Sequence, residues 1–214
     1  MNKTAILLWT LGLAILAAGA WLVCPQGQCA TTAIDDVGLG VAHDIRNATL
    51  DRWMQGVTWF GSLAVLLPLT VMVALILLRH RRRPEAGFLV LAVFGASGLG
   101  HVVKLVVMRP RPDLFPVWTN MPADWSYPSA HAMQITALAV ALLFIIARRR
   151  ELWAVPLGSA VLLVGLSRLY LQVHFPSDVL VGILAATLWV GGLHAYMFAR
   201  SSGCSNDSVT GGPA

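Results

Sequence analysis

Six stretches of nearly unbroken apolar residues mark this 214-residue chain, at about 5–23, 59–78, 87–108, 131–147, 152–170 and 179–199, each ended by charge, proline or glycine. A helix needs about 18 to 20 such residues to cross a bilayer, so each stretch is expected to span. Continuous apolar runs also exclude a transmembrane barrel, whose strands alternate. Between the first and second runs, Ile45, Trp53, Met54 and Val57 can share one apolar face, which predicts an interfacial helix at about 42–57. The expected architecture is an all-α, polytopic membrane helical bundle of about six transmembrane helices. It forms a single domain over 1–200, followed by a disordered cytoplasmic tail over 201–214 that holds Cys204.

Composition agrees with that pattern. Hydrophobic residues make up 57% and charged residues 12%, against roughly 25% charged in soluble domains. A soluble nucleic-acid binder, a disordered chain, a fibre and a secreted disulfide scaffold are excluded. The net charge of +5 is read through its placement. Arg79, Arg81, Arg82 and Arg83 follow the second run, Arg148, Arg149 and Arg150 follow the fourth, and Lys3 and Arg200 lie at the ends. The positive-inside rule puts all of these, and both termini, in the cytoplasm, so the protein is expected in the cytoplasmic membrane. The segments at about 24–58, 109–130 and 171–178 then face outward, carrying Asp35, Asp36, Asp44, Asp51, Asp113, Asp124 and Asp178. Trp53, Trp59, Trp118 and Trp125 suit an aromatic belt at that boundary. A cleaved signal peptide is the alternative reading of the first run, because Lys3 precedes it and Ala18-Gly19-Ala20 resembles a cleavage site. Cys24 and Cys29 face an oxidising compartment in this topology, which permits a disulfide without requiring one.

Charge within a span costs roughly 2.5 to 3.5 kcal/mol per residue on insertion scales, which makes intramembrane charges functional candidates. Here they cluster. Lys104 closes the third run, Arg111 follows Pro110, Ser129 and His131 open the fourth run, Ser167 and Arg168 close the fifth, and His174 and Asp178 lead into the sixth. In the expected topology all of them reach one outer level. The set suits phosphate, since Lys104, Arg111 and Arg168 match anionic oxygens, the arginines as planar forks. The backbone N–H groups of Ser129 to His131, at a helix start, add an anion site. An imidazole held by a carboxylate is a nucleophile or base, and a second imidazole can protonate a leaving oxygen. No cluster of carboxylates or Cys/His ligands accompanies the set, so no metal and no cofactor is implied, and Asp35-Asp36 reads as a solvated loop.

Lys104-Leu-Val-Val-Met-Arg-Pro-Arg111-Pro112 fits KxxxxxxRP, Pro128-Ser129-Ala130-His131 fits PSGH with Ala for Gly, and the segment from Ser167-Arg168 through His174 to Asp178 fits SRxxxxxHxxxD. In order and spacing these three motifs resemble the type 2 phosphatidic acid phosphatase family, membrane lipid phosphatases related to vanadium haloperoxidases and glucose-6-phosphatase. The resemblance implies that His174 attacks phosphorus to form a phosphohistidine, that Asp178 orients its ring, and that His131 protonates the leaving lipid oxygen. It assigns the phosphoryl oxygens to Lys104, Arg111, Ser129 and Arg168. Arg109 also precedes a proline but falls two residues short of the register and is left out, and the Ser167 hydroxyl reads as structural. Ala130 costs strain only if that backbone needs a positive φ.

The implied activity is metal-independent hydrolysis of a phosphomonoester or diphosphate on a lipid, with undecaprenyl diphosphate the first substrate and phosphatidylglycerol phosphate or phosphatidic acid next. The expected partners are that lipid phosphate and membrane lipids, with no nucleic acid, and the oligomeric state is left open. A lipid A phosphatase or phosphotransferase is the enzymatic alternative. A transporter of anions or lipids is the other, and it accounts for the cations but not for His131 or for His174 with Asp178. His43, His80 and His194 read as interfacial, His101 as a candidate support for Lys104, and Gly95, Gly98 and Gly100 as sites of close helix packing.

Overall fold

The computed structural model describes residues 2–116 and 121–198; Trp118, Arg200 and the tail with Cys204 lie outside the described residues. Eight α-helices follow one another: α1 Lys3–Val23, α2 Ala33–Asp44, α3 Ala48–Thr58, α4 Leu63–Arg79, α5 Arg83–Val107, α6 Ala130–Ile146, α7 Arg150–Tyr170 and α8 Pro176–Phe198. Their starts follow from the sequence. Asn2, Asn47 and Ser62 each accept a backbone N–H of the first turn of α1, α3 and α4, while Thr32 and Asp35 close a capping box on α2. Helix α5 ends where Met108 turns left-handed, with φ 51°, and Pro110 and Pro112 then bar any continuation.

Four helices, α1, α5, α7 and α8, are long and apolar enough to cross a membrane by themselves. Helices α4 and α6, each of 17 residues, stand where the second and fourth spans were expected, and α4 reaches the length of a span only together with α3. At 1.5 Å per residue each covers about 25 Å, short of a hydrocarbon core of about 30 Å. Helix α4 does not begin at Trp59: residues 59–61 form a 3-10 turn, Ser62 is extended, and α3 meets α4 at a 46° bend. The interfacial helix expected at 42–57 is two helices, because Asn47 caps α3 and so breaks the chain after α2.

Helix α6 is the hub, packed among α4, α5, α7 and α8. Every residue from Ala132 to Ala139 is buried, and this is why its sequence is apolar all round. Leu66, Phe88, Leu89, Val93, Leu138, Val164 and Val190 form the main core around it. Outward faces are apolar too, with Leu7, Trp21, Val106 and Val155 all more than half exposed, as a lipid-facing bundle requires. Helix α1 runs along α8, where Trp9 stacks on Trp189 and Tyr127 Oη donates to the Leu16 carbonyl, so the first run is an integral part of the bundle. Two of the three expected packing glycines meet a neighbour: Gly95 lies against Trp189 and Gly100 against Met133, whereas Gly98 faces open space. The basic turns after α4 and α6 share one end, joined by Arg82 Nη2 donating to the Ile145 carbonyl at 3.2 Å. The ends of α5 and α7 and the starts of α6 and α8 share the other.

Candidate active site

At that second end a cavity of about 250 Å³ is walled by Lys104, Arg111, Asp124, His131, Arg168 and His174, so five of the seven expected residues meet. A cavity of about 260 Å³ adjoins it, sharing His131 and Arg168 and lined on its far side by Gln55, Thr58 and Trp59. Ser129 and Asp178 are fully buried and stand behind the wall.

His174 lies in the α7–α8 turn. Left-handed Gln172, with φ 57°, folds that turn back so that Val173 and His174 both donate to the Arg168 carbonyl. The His174 Nε2 is 3.2 Å from Arg111 Nη1. A guanidinium can only donate, so Nε2 accepts and the ring proton is assigned to Nδ1. Burial, and after it the Arg111 charge, hold His174 well below the ordinary imidazole range, which keeps the ring neutral. On the other side Nδ1 faces Ser126 Oγ at 3.4 Å and Asp178 Oδ2 at 3.6 Å. The second distance exceeds a hydrogen bond, so the expected direct His174–Asp178 contact runs through Ser126, whose hydroxyl donates to Asp178 Oδ2.

The cations divide among different partners. Lys104 Nζ bonds the Trp125 carbonyl and lies 3.0 Å from Asp124 Oδ2. Arg111 holds the Asp124 carbonyl at 2.8 Å, Asp124 Oδ1 at 2.5 Å and the Val173 carbonyl at 2.6 Å. Burial by itself raises the Asp124 carboxyl, but the hydrogen bond and charge of Lys104, with those of Arg111, outweigh it and bring it down to about 2. Arg168 donates from Nη1 to Thr58 Oγ1 at 2.6 Å, while its Nε has no partner among the described residues. Ser129 Oγ is likewise unpartnered among the described residues. The Ser129 N–H donates to the Asp178 carbonyl, which removes it from the anion site expected at the start of α6. Ala130 opens α6 without a positive φ, so alanine in place of glycine brings no strain.

Several residues here were not expected. Asp35 is not in a solvated loop: it sits in the first turn of α2, is fully buried, and pairs with Arg109 at 2.8 Å. Arg109, set aside by its register, pairs with Asp178 at 2.6 Å. Ser126 and Thr58 were not expected at all, and Asp124 was expected only as one of the outward-facing acids. Only the Thr32-x-x-Asp35 spacing gave a local sign, that of a capping box. His101 is exposed on α5, and His43 and His194 stack on Phe115 and Phe144. Cys24 and Cys29 are joined as a disulfide. Among the described residues no group of three or more His, Cys, Asp or Glu side chains is placed to hold a metal ion.

The sequence pattern of the PAP2 superfamily matches residues 85–202. Phosphatidylglycerophosphatase B of Bacillus subtilis strain 168 is 34% identical over 146 residues, covering 64% of this chain and 70% of that protein. An undecaprenyl-diphosphatase of Sulfolobus acidocaldarius is 36% identical over 147 residues, covering 67% and 68%. The crystal structure of a transmembrane PAP2-type phosphatidylglycerolphosphate phosphatase from Bacillus subtilis superposes with a TM-score of 0.72 at 26% identity, over 92% of this chain and 96% of that one. With the pattern filling more than half of the chain and the fold shared over nearly all of it, this multi-pass membrane protein belongs to the PAP2 superfamily and is a lipid phosphatase.

Proposed function

We propose that this lipid phosphatase hydrolyses the terminal phosphoryl group of a lipid diphosphate or phosphomonoester through a phosphohistidine on His174, at the outer face of the cytoplasmic membrane. Undecaprenyl diphosphate is the first substrate and phosphatidylglycerol phosphate the second. The observation that carries the reading is the neutral His174 ring, with its Nε2 lone pair beside Arg111 at the cavity and its Nδ1–H backed by Ser126 and Asp178.

Nε2 attacks phosphorus, an N–P bond forms, and the P–O bond to the lipid breaks as His131 gives its proton to the leaving oxygen. Positive charge then develops on the ring, and the buried Asp178 carboxylate stabilises it. Water next attacks phosphorus and gives a proton to His131, the N–P bond breaks, and its electron pair returns to Nε2. Lys104, Arg111 and Arg168 hold the equatorial oxygens, whose charge is greatest in the transition state, and the unpartnered Ser129 Oγ and Arg168 Nε are donors left for the same group. Asp124 supports the assignment of the cations: Lys104 takes one of its oxygens and Arg111 the other, and a phosphoryl group offers the same pair with more charge. The leaving lipid oxygen, beside His131, directs its substituent toward the adjoining cavity. The outward orientation rests on the basic turns, which lie at the opposite end of the bundle. An outward site favours a lipid carrier that releases its load outside.

The test is inorganic phosphate release from undecaprenyl diphosphate, phosphatidylglycerol phosphate and phosphatidic acid by the purified protein and by His174→Ala, with EDTA present. Release by the wild type alone supports a metal-independent histidine mechanism, and the relative rates rank the lipids. Loss of activity in EDTA with recovery on magnesium overturns it.

A further inference from the structure

Arg109 is one of the largest fully buried side chains in the protein, at 1% exposure, and none of its contacts belongs to the cavity. Its Nη1 donates to Asp178 Oδ1 at 2.6 Å and to Ser177 Oγ at 2.8 Å. Its Nη2 donates to Asp35 Oδ2 at 2.8 Å and to the Ala30 carbonyl at 3.0 Å, and its guanidinium lies 3.8 Å over the Phe175 ring. Asp35 in turn accepts the Ser177 N–H at 2.9 Å and the Ser177 hydroxyl at 3.0 Å. One guanidinium therefore bridges a carboxylate of α2 and the carboxylate behind His174, and Ser177 bonds both Asp35 and that guanidinium.

This arrangement divides the two oxygens of Asp178. Oδ1 is held by Arg109, whereas Oδ2 takes the Ser126 hydroxyl and the Phe175 N–H and is the oxygen turned toward His174 Nδ1. A carboxylate anchored at one oxygen presents the other in a fixed direction, and in a dry site its charge needs a fixed counter-ion. Asp35 supplies the second half of that anchor, since it fixes the far side of the guanidinium to α2. The segment that carries Asp35 precedes residue 85, outside the part matched by the superfamily pattern.

We propose that Arg109 and Asp35 are positioning residues for the reaction: Asp35 fixes Arg109, and Arg109 holds Asp178 charged and aimed at the ring that attacks phosphorus. The inference rests on the histidine reading above. It also means that α2 is a working part of the site, for among the described residues α2 brings in the one acid that meets Arg109 from outside the motif segments.

The test is a set of mutant cycles on the full-length purified protein with phosphatidylglycerol phosphate as substrate. Asp35→Asn keeps an oxygen for the Ser177 N–H but removes the charge and turns the oxygen that accepts from Arg109 Nη2 into an amide donor, which releases the guanidinium from α2; it is expected to lower kcat about tenfold with KM within about twofold, and Arg109→Gln about a hundredfold. In an Asp178→Asn background each change is expected to cost less than about twofold, because the carboxylate through which both act is gone. Arg109→Lys, which keeps one cationic donor, is expected to recover part of the Arg109→Gln loss. Equal losses in both backgrounds overturn the proposal, as does a fall in thermal stability with kcat per folded molecule unchanged. If Arg109→Gln does not fold, the Asp35→Asn pair of backgrounds decides alone. His174→Ala separates the two levels: full activity there sinks the histidine reading and this one with it, whereas an inactive His174→Ala with independent losses sinks only this one.

Discussion

Two charged clusters flank the His174 ring, and they differ in almost every physical respect. The rear cluster, Asp178, Arg109 and Asp35, is sealed: none of its side chains is more than 1% exposed, and its guanidinium nitrogens and carboxylate oxygens named above all have partners. The front cluster, Lys104, Arg111 and Asp124, opens on the cavity, and the Asp124 side chain is 49% exposed. A buried, satisfied ion network has one arrangement and fixes geometry. A carboxylate held at the mouth of a cavity can exchange with another anion. The rear cluster is suited to aim the nucleophile, and the front one to hold the group that it attacks.

The most severe break in this division is loss of the ring between the clusters. His174→Ala is expected to reduce phosphate release by about 10⁴-fold or more, because no other described group has an unprotonated nitrogen at the cavity wall backed by a carboxylate. Arg111→Gln is next, at about 10²- to 10³-fold in kcat/KM, since it removes one preorganised donor to the transition state. It also carries a pH signature. Burial and then Arg111 depress His174, so activity in the wild type falls only as pH drops well below about 6.5. Arg168, Lys104 and His131 add to the depression, and Asp178 faces the ring from behind. Without the Arg111 charge the ring is more easily protonated, and the acid limb moves up toward its ordinary value. Ionisation of the substrate is common to both enzymes, so the displacement between their profiles reads the ring. An unmoved limb removes His174 as the titrating group.

The motif residues around the His174 ring were far more legible in the sequence than Asp124 of the front cluster or Arg109 and Asp35 of the rear one. Lys104, Arg111, Ser129, His131, Arg168, His174 and Asp178 lie in three short segments with fixed spacing, and the helix ends that carry them follow from proline, serine and charge placement. Asp35 and Arg109 stand 74 residues apart and their pairing leaves no local trace. A carboxylate followed by another in a polar linker reads as solvated, and an arginine out of register reads as incidental. Only tertiary packing turns both inward. The six apolar runs gave the bundle, but the hub position of α6 and the bend between α3 and α4 arise from packing that hydropathy does not report.

Stability sharpens the comparison. Arg109→Ala leaves two buried carboxylates facing each other without a cation, and thermal or denaturant unfolding in detergent is expected to show a loss of about 3–5 kcal/mol. Asp124→Asn in the front cluster is expected to cost about 1 kcal/mol or less, because the cavity admits water to its partners and the amide oxygen still accepts from one of them. Equal losses at the two positions make the clusters alike and the division wrong.

The smallest effect is the most informative about the front cluster. Asp124 lies on the two cations that a phosphoryl group needs, so it competes for them. Neutralising it by Asp124→Asn is expected to lower KM about threefold with kcat little changed, the pattern of a change in ground-state binding. The carboxyl is held at about 2, so Asp124 is charged throughout the working range and the gain is expected to be flat between about pH 5 and 8. A gain that appears only at the alkaline end assigns the effect to another titrating group. A rise in KM instead makes Asp124 part of the frame that keeps Lys104 and Arg111 in place, and then the front cluster positions as the rear one does.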